Sequence, residues 1–249
     1  MMAANPVPAA ARTLDVLETF RGARRPLSLS ELARLTRIPV STCHGLVRTL
    51  EQRGFLYYPS PREVYPTRKL LEIARDIDAH DPVVARLRSA LTSLRDVTQE
   101  TVILGMRQDD AALYLLVLDS PHIVRYTADA GEFKPLHSSS IGKTFLGGMT
   151  DDALDAWLRS HPPVRVTANT ITTARALKRN LQESRDRGYY MTRGENVADV
   201  MAIAAPVNAG SAQLAIAIAG PLHRMEEHRE KHVERLRATV RAIERQTHG

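Results

Sequence analysis

Wound as an α-helix at roughly 100° per residue, the segment from Ser41 to Arg53 separates into two unlike faces. Cys43, Leu46, Val47 and Leu50 fall within roughly 140° to 240° of Ser41, while Ser41, Gly45, Arg48 and Gln52 line the other side. One face packs against a core; the other is small, polar and basic. The flanks narrow the fold further. Ser28 stands at capping-box spacing before Glu31 and opens a short helix carrying Leu32, Ala33 and Leu35. That helix ends at Ile38-Pro39, because a residue before proline avoids the helical region. Upstream, Leu14, Leu17 and Phe20, widened by Val16, predict a helix from Arg12 to Phe20 that Gly22 ends. Downstream of Gly54, FLYYPSPREVYPT places aromatic and β-branched runs around a Pro-Ser-Pro turn and reads as a β-hairpin. This order is that of a winged helix-turn-helix, which presents its two-faced helix to the DNA major groove.

The outer face supplies the candidate contacts. Arg48 has the fork for guanine O6 and N7, and Gln52 the amide for adenine. Ser41 and Thr42 at the helix start suit phosphate, His44 lies at the edge of the face, and Gly45 lies near its centre. Arg37, Arg53 and Arg62 on the wing are further cationic candidates. The bland alternative is a three-helix packing unit whose third helix is merely solvated. Charge tips the balance slightly. Residues 1–80 hold 12 Lys plus Arg against 8 Asp plus Glu, an excess of four out of the +6 of the whole chain.

A helix from Arg68 to Ala79 follows, and His80-Asp81-Pro82 breaks it. The expected organisation is therefore a DNA-binding domain at 1–66, a linker helix at 67–80 and a second domain at 81–249. In the second domain a helix runs to about Thr98, then TVILGM, ALYLLVL and HIVRYTA read as strands. Helices are expected at about 138–148, 150–160 and 173–187, the last closed by Gly188. MAIAAPV and QLAIAIA are strands separated by an Asn-Ala-Gly-Ser turn, and one long helix is expected from Met225 to Gln246. Helices flanking an antiparallel sheet make an α+β arrangement.

Other classes recede. Cys43 is the only cysteine, so no intramolecular disulfide forms, and a reducing compartment fits best. The start of the chain lacks a basic leader, and the most apolar stretches fall short of the roughly 20 residues that span a bilayer. The expectation is a soluble, cytoplasmic protein with no membrane partner. Gly142-Lys143-Thr144 resembles the end of a phosphate-binding P-loop, but the glycine required five positions earlier is His137. His223, His228 and His232 sit in a Lys-, Arg- and Glu-rich segment, so a solvated face is preferred to a metal site. No cofactor is expected. There is no Gly-x-Ser-x-Gly elbow, and an enzyme is not expected.

RTLDVLETF, then PLSLSELARLTRIPVSTCHGLVRTLEQRGFL, then the wing resemble the DNA-binding half of the isocitrate lyase regulator (IclR) family. HSSSIGKTFLGGM looks like that family's His-x-Ser/Thr-x-x-Gly-Lys segment. Arg187-Gly188-Tyr189, AIAAPV and IAGP are similar to later family motifs, in the same order, so the resemblance runs from about Ala11 to Arg245. It implies a transcription regulator with a winged helix-turn-helix, a linker helix and a GAF-like effector domain. It further implies a homodimer that pairs into a dimer of dimers, a double-stranded DNA operator and a small organic or aromatic acid effector. A ligand-independent architectural DNA binder is the alternative.

Two departures stand out in the recognition helix. Val40 and Gly45 occupy positions where family members often carry lysine and arginine, which predicts an unusual sequence preference. By the same resemblance, the effector pocket draws on Thr192 or Arg193, with Ala202, Ala217 and Ala219. Three alanines predict a wide, less polar pocket for a larger, partly apolar acid. Arg193 is the candidate carboxylate partner, with His137, Ser138, Ser139, Ser140 and Gly142 as further donors. Met106, Ile141 and Met191 are candidate walls.

Overall fold

The computed structural model describes residues 7–208 and 213–247. The first helix, α1 (Pro8–Ala23), begins with a proline, whose missing N–H costs nothing in a first turn that has no helical acceptors. It outruns the predicted stripe. Gly22 does not end it; Arg24 does, at φ 53° in the left-handed region, with its N–H bonded to the Phe20 carbonyl. Val16 and Phe20 are buried, whereas Leu14 points outward and is 59% exposed.

A two-residue strand, β1 (Leu27–Ser28), leads into α2 (Leu29–Thr36). The capping box forms as spaced: the Ser28 hydroxyl accepts from Glu31 N–H at 3.3 Å, and the Glu31 carboxylate accepts from Ser28 N–H at 3.0 Å. Arg37, also left-handed at φ 55°, turns the chain into α3 (Val40–Gln52). Then β2 (Leu56–Ser60) and β3 (Glu63–Pro66) make the hairpin, with β3 between β1 and β2, and α4 (Lys69–His80) follows. Leu27, Leu32, Cys43, Val47 and Leu56 share one core with Val16 and Phe20, each fully buried apolar side chain stabilising by roughly 1.5–3 kcal/mol. The strand of two residues was invisible to periodicity. The chain divides into two compact units, this one ending at Asp81 and the other beginning at Pro82.

The second unit opens with α5 (Pro82–Thr98) and a six-stranded antiparallel sheet. Its elements are β4 (Thr101–Gln108), β5 (Ala111–Leu118), β6 (Phe133–Pro135), α6 (Ser140–Gly147), α7 (Asp151–Ser160) and α8 (Ala174–Arg187). Next come β7 (Tyr190–Arg193), β8 (Val200–Asn208), β9 (Gln213–Pro221), α9 (Leu222–Glu227) and α10 (Arg229–Thr247). The strand order is β6-β5-β4-β9-β8-β7. Alternation along β9 sorts its side chains: Leu214, Ile216 and Ile218 join α5 and α10 in one core, while Ala215, Ala217 and Ala219 face the α6–α8 layer.

Two expectations for this unit need correction. HIVRYTA is not a strand, because side chains take over its polar backbone: Thr101 Oγ1 donates to the Tyr126 carbonyl at 2.6 Å and accepts from Ser120 N–H at 3.1 Å. The edge place beside β5 goes to β6 instead, paired Leu113 to Phe133. The long last helix is interrupted at His228, which caps α9. Part of the Asn-Ala-Gly-Ser turn lies outside the described residues.

Candidate functional site

The outer face of α3 stays open. Ser41, His44, Gly45, Arg48 and Gln52 are exposed and Thr42 is half-buried, while Cys43, Val47 and Leu50 pack inward and Leu46 is half-buried. Burial pushes the Cys43 thiol up, so it packs as an uncharged side chain. Pro39 supplies no side-chain cap, which leaves the first N–H groups of α3 free for an outside acceptor. Arg37, Arg48, Arg53 and Arg62 are exposed and have no acidic partner among the described residues. Arg25, by contrast, is held on Glu31 at 2.7 Å, and that bond, with Ser28, lowers the Glu31 pKa to about 2. A Cβ at Gly45 would meet nothing within 4 Å, so this glycine is not required by packing. Sequence reasoning missed Tyr57 and Tyr58, exposed along the wing strand, because periodicity does not tell a hairpin's solvent face from its core face.

The second unit holds a cavity between the alanine face of the sheet and the α6 layer. Ile103, Ala202, Ala217 and Ala219 form its floor. Ser139 and Ser140 reach it from the start of α6, Thr192 from β7, and Tyr114 and Tyr126 from β5 and the segment after it. Asn196, Val197 and Val200 close the remaining side. The alanines do not make it wide. Only about 20 Å³ is open to the centre of a water molecule, room for about one water. Burial, with Tyr126 and Glu132 near it, drives the Tyr114 phenol well above its usual range, so it stays a neutral donor.

The structure separates the predicted pocket residues. Ser139, Ser140, Thr192, Ala202, Ala217 and Ala219 line the cavity. Arg193 does not: strand alternation buries Thr192 and turns Arg193 outward, where it pairs with Glu226 at 3.2 Å. Met106 and Met191 also miss it, since both pack against the α5 and α10 core. Ile141 is buried in the layer behind the cavity. Gly142 serves packing, because a Cβ there would come within 2.4 Å of the Leu136 backbone. His137 Nε2 bonds the Val164 carbonyl at 2.9 Å, and burial lowers its pKa, so it holds a loop as a neutral ring. Ser138 reaches Asn196 Oδ1 at 3.5 Å, a long contact, and does not line the cavity. Of the missed residues, Ile103 was accessible from β4 alternation. Tyr126, Asn196 and Val197 arrive on irregular segments that only the tertiary fold places.

Lys143 was also missed. Its Nζ is fully buried on Glu195 Oε1 at 2.6 Å and Asn180 Oδ1 at 2.9 Å. Burial pushes the lysine down and the glutamate up, and the mutual attraction opposes both shifts. This ion pair anchors the segment whose next residues, Asn196 and Val197, wall the cavity.

The sequence profile described as bacterial transcriptional regulator IclR C-terminal matches residues 76–245, and the IclR helix-turn-helix domain matches residues 9–60. The chain belongs to the IclR family. The HTH-type transcriptional regulator BhcR of Paracoccus denitrificans is 31% identical over 223 residues, covering 88% of this chain and 79% of BhcR. KdgR of Escherichia coli is 29% identical, covering 90% of this chain and 87% of KdgR. The Thermotoga maritima IclR structure has the same fold, with a TM-score of 0.81 at 24% identity and coverage of 96% and 98% of the two chains. An IclR homologue from Microbacterium hydrocarbonoxydans, solved with 4-hydroxybenzoate, gives a TM-score of 0.79 at 26% identity, covering 96% and 99%. As an IclR member, the chain is an α+β transcriptional regulator with a helix-turn-helix DNA-binding domain and a C-terminal effector-binding domain. These relatives are named as regulators, not as enzymes. Among the described residues no helix is long and apolar enough to cross a membrane.

Proposed function

We propose that this cytoplasmic IclR regulator binds a double-stranded operator through α3, with Arg48 and Gln52 reading bases and Ser41, Thr42, His44, Arg37, Arg53 and Arg62 contacting or approaching the backbone. The observation that carries this is the open, basic outer face of α3, whose arginines have no acidic partner among the described residues. Gly45 lets the helix approach the base edges closely. A homodimer, paired into a dimer of dimers, then sets two recognition helices against half-sites about one DNA turn apart.

The effector we assign to the cavity is a small aromatic or partly apolar acid. Support comes from the floor of Ile103 and three alanines, and from the homologue solved with 4-hydroxybenzoate. Among the described residues no arginine, lysine or histidine lines the cavity, so a carboxylate is met by neutral donors: Ser139, Ser140, Thr192, Asn196 and the tyrosine hydroxyls. With room for about one water, the cavity admits such an acid only when the Val197 side or the Tyr126 segment yields. That displacement is the event that α4 transmits to the DNA-binding domain.

Thermal shift and operator titration by fluorescence anisotropy test the proposal, with a duplex selected from a random pool. 4-Hydroxybenzoate or a related acid is expected to stabilise the second unit and change operator affinity, and Thr192→Val to weaken both responses. No response to a panel of aromatic and aliphatic acids would favour the ligand-independent architectural DNA binder. Deleting residues 81–249 is expected to leave DNA affinity without an effector response.

A further inference from the structure

Val40 opens α3 with its side chain 54% exposed, and among the described residues it is the one large apolar side chain of that helix that faces water. It belongs neither to the core of the first unit nor to the partly buried side chains packed against that core. A single exposed valine needs no explanation by itself. Its position is what gives it meaning. Wound at 100° per residue, Val40 falls at about 260° from Ser41, beside His44 at about 300° and Arg48 at about 340°. All three are exposed, so Val40 extends the open face of α3 to the very start of the helix.

That end of the helix is built to meet DNA. Pro39 gives no side-chain cap and no acidic residue stands in the first turn, so the positive end of the helix dipole is open to a phosphate. A phosphate held there brings Val40 to the rim of the major groove, where recognition helices meet bases through their N-terminal residues. Gly45, one turn on, carries no side chain, and even a Cβ there would meet nothing within 4 Å, so the helix can lie close enough for a short side chain to reach a base. Valine has no donor or acceptor with which to answer a phosphate or the polar edge of a base. The one apolar group that the major groove presents is the C5 methyl of thymine. Valine is also stiff at χ1 in a helix, so little side-chain freedom is lost on contact.

We infer that Val40 is a specificity-determining residue of this regulator, reading the C5 methyl of one thymine in each operator half-site. The inference rests on α3 being the helix that reads the operator. Val40 and Arg48 are about 12 Å apart along α3 at 1.5 Å per residue. The thymine therefore lies within about four base pairs of the base read by Arg48, at 3.4 Å per base pair. Two other methyls on α3 compete for the role. Thr42 is half-buried, and Thr49 lies more than two turns further along with its hydroxyl bonded to the Gly45 carbonyl at 2.8 Å.

The test uses the full chain and a duplex selected from a random pool. Each thymine is replaced in turn by deoxyuridine, which keeps the pairing and every polar group but lacks the methyl, and binding is followed by fluorescence anisotropy at fixed salt. In wild type, uracil at one position is expected to weaken binding about fourfold for each half-site exchanged, the loss of one buried methyl group. Val40→Ser is expected to bind the thymine duplex about as weakly as wild type binds the doubly exchanged one, and to ignore the exchange at that position. Val40→Ile is expected to keep the discrimination. The site is exposed, so both variants are expected to melt like wild type by far-UV circular dichroism. A uracil penalty of equal size in wild type and Val40→Ser overturns the inference, because Thr42, Thr49 or the shape of the DNA then senses the methyl. So does a wild-type protein indifferent to every exchange. If Arg48→Ala weakens binding in that case, the Val40 role alone fails; if Arg48→Ala also binds as tightly as wild type, the reading of α3 fails with it.

Discussion

Replacing Lys143 with methionine removes one half of a buried ion pair while keeping a side chain of similar length. Lys143 is fully buried and Glu195 9% exposed, so the orphaned carboxylate cannot be rescued by bulk water. Breaking such a pair from one side costs about 3–5 kcal/mol. For a unit of this size that lowers the melting temperature by roughly 6–20 °C. The only tryptophan, Trp157, lies in the second unit and donates to Asp110 Oδ1 at 2.7 Å, so its fluorescence follows that unit's unfolding. The sign with pH is also set. Without Lys143, burial of Glu195 is opposed only by its backbone bonds from Arg193 and Ile171, and its folded pKa rises further above its unfolded value. Stability contributed by a raised carboxyl is present below the unfolded pKa and lost as pH rises through the folded one, so the deficit of Lys143→Met widens from pH 5 to pH 8. Adding Glu195→Leu removes the stranded carboxylate and is expected to recover part of the loss. A Lys143→Met protein within about 1 kcal/mol of wild type, or a double variant whose losses simply add, would refute the reasoning.

Arg48→Ala is expected to weaken operator binding by about 1–3 kcal/mol, read by gel shift, and unchanged affinity places the reading face elsewhere. Gly45→Ala meets no neighbour within 4 Å and is expected to stabilise the helix by about 1 kcal/mol in thermal melts while reducing operator affinity. Equal or tighter DNA binding by that variant removes the close-approach role. Glu31, with its pKa lowered to about 2, stabilises the first unit above the ordinary carboxylate range, and this contribution fades as pH falls towards 2. Far-UV circular dichroism melts of wild type and Glu31→Gln are therefore expected to differ at neutral pH and converge near pH 2; a constant gap sinks this assignment.

The DNA-binding end was legible because its signals are local. A capping box, a proline turn, a two-faced helix and a hairpin are each written within a few residues, and neighbours on one helix face follow from 100° steps. The Ala–Ile alternation of QLAIAIA likewise determines that alanines line one face of β9 whatever packs on them. The effector end was legible only along its strands. There the family resemblance points to Ala202, Ala217 and Ala219, which line the cavity, and to Thr192 or Arg193, of which only Thr192 lines it, because register against β8 decides which one turns inward. Tertiary structure alone brought Tyr114 and Tyr126 to the same cavity as the alanines, and that cavity is narrow where small residues predict a wide one. It alone set Lys143 on Glu195, 52 residues away along the chain. Local backbone preferences act over a few residues and can be read in order; burial and ion pairing join segments that are distant in sequence, and only the folded chain sets them side by side.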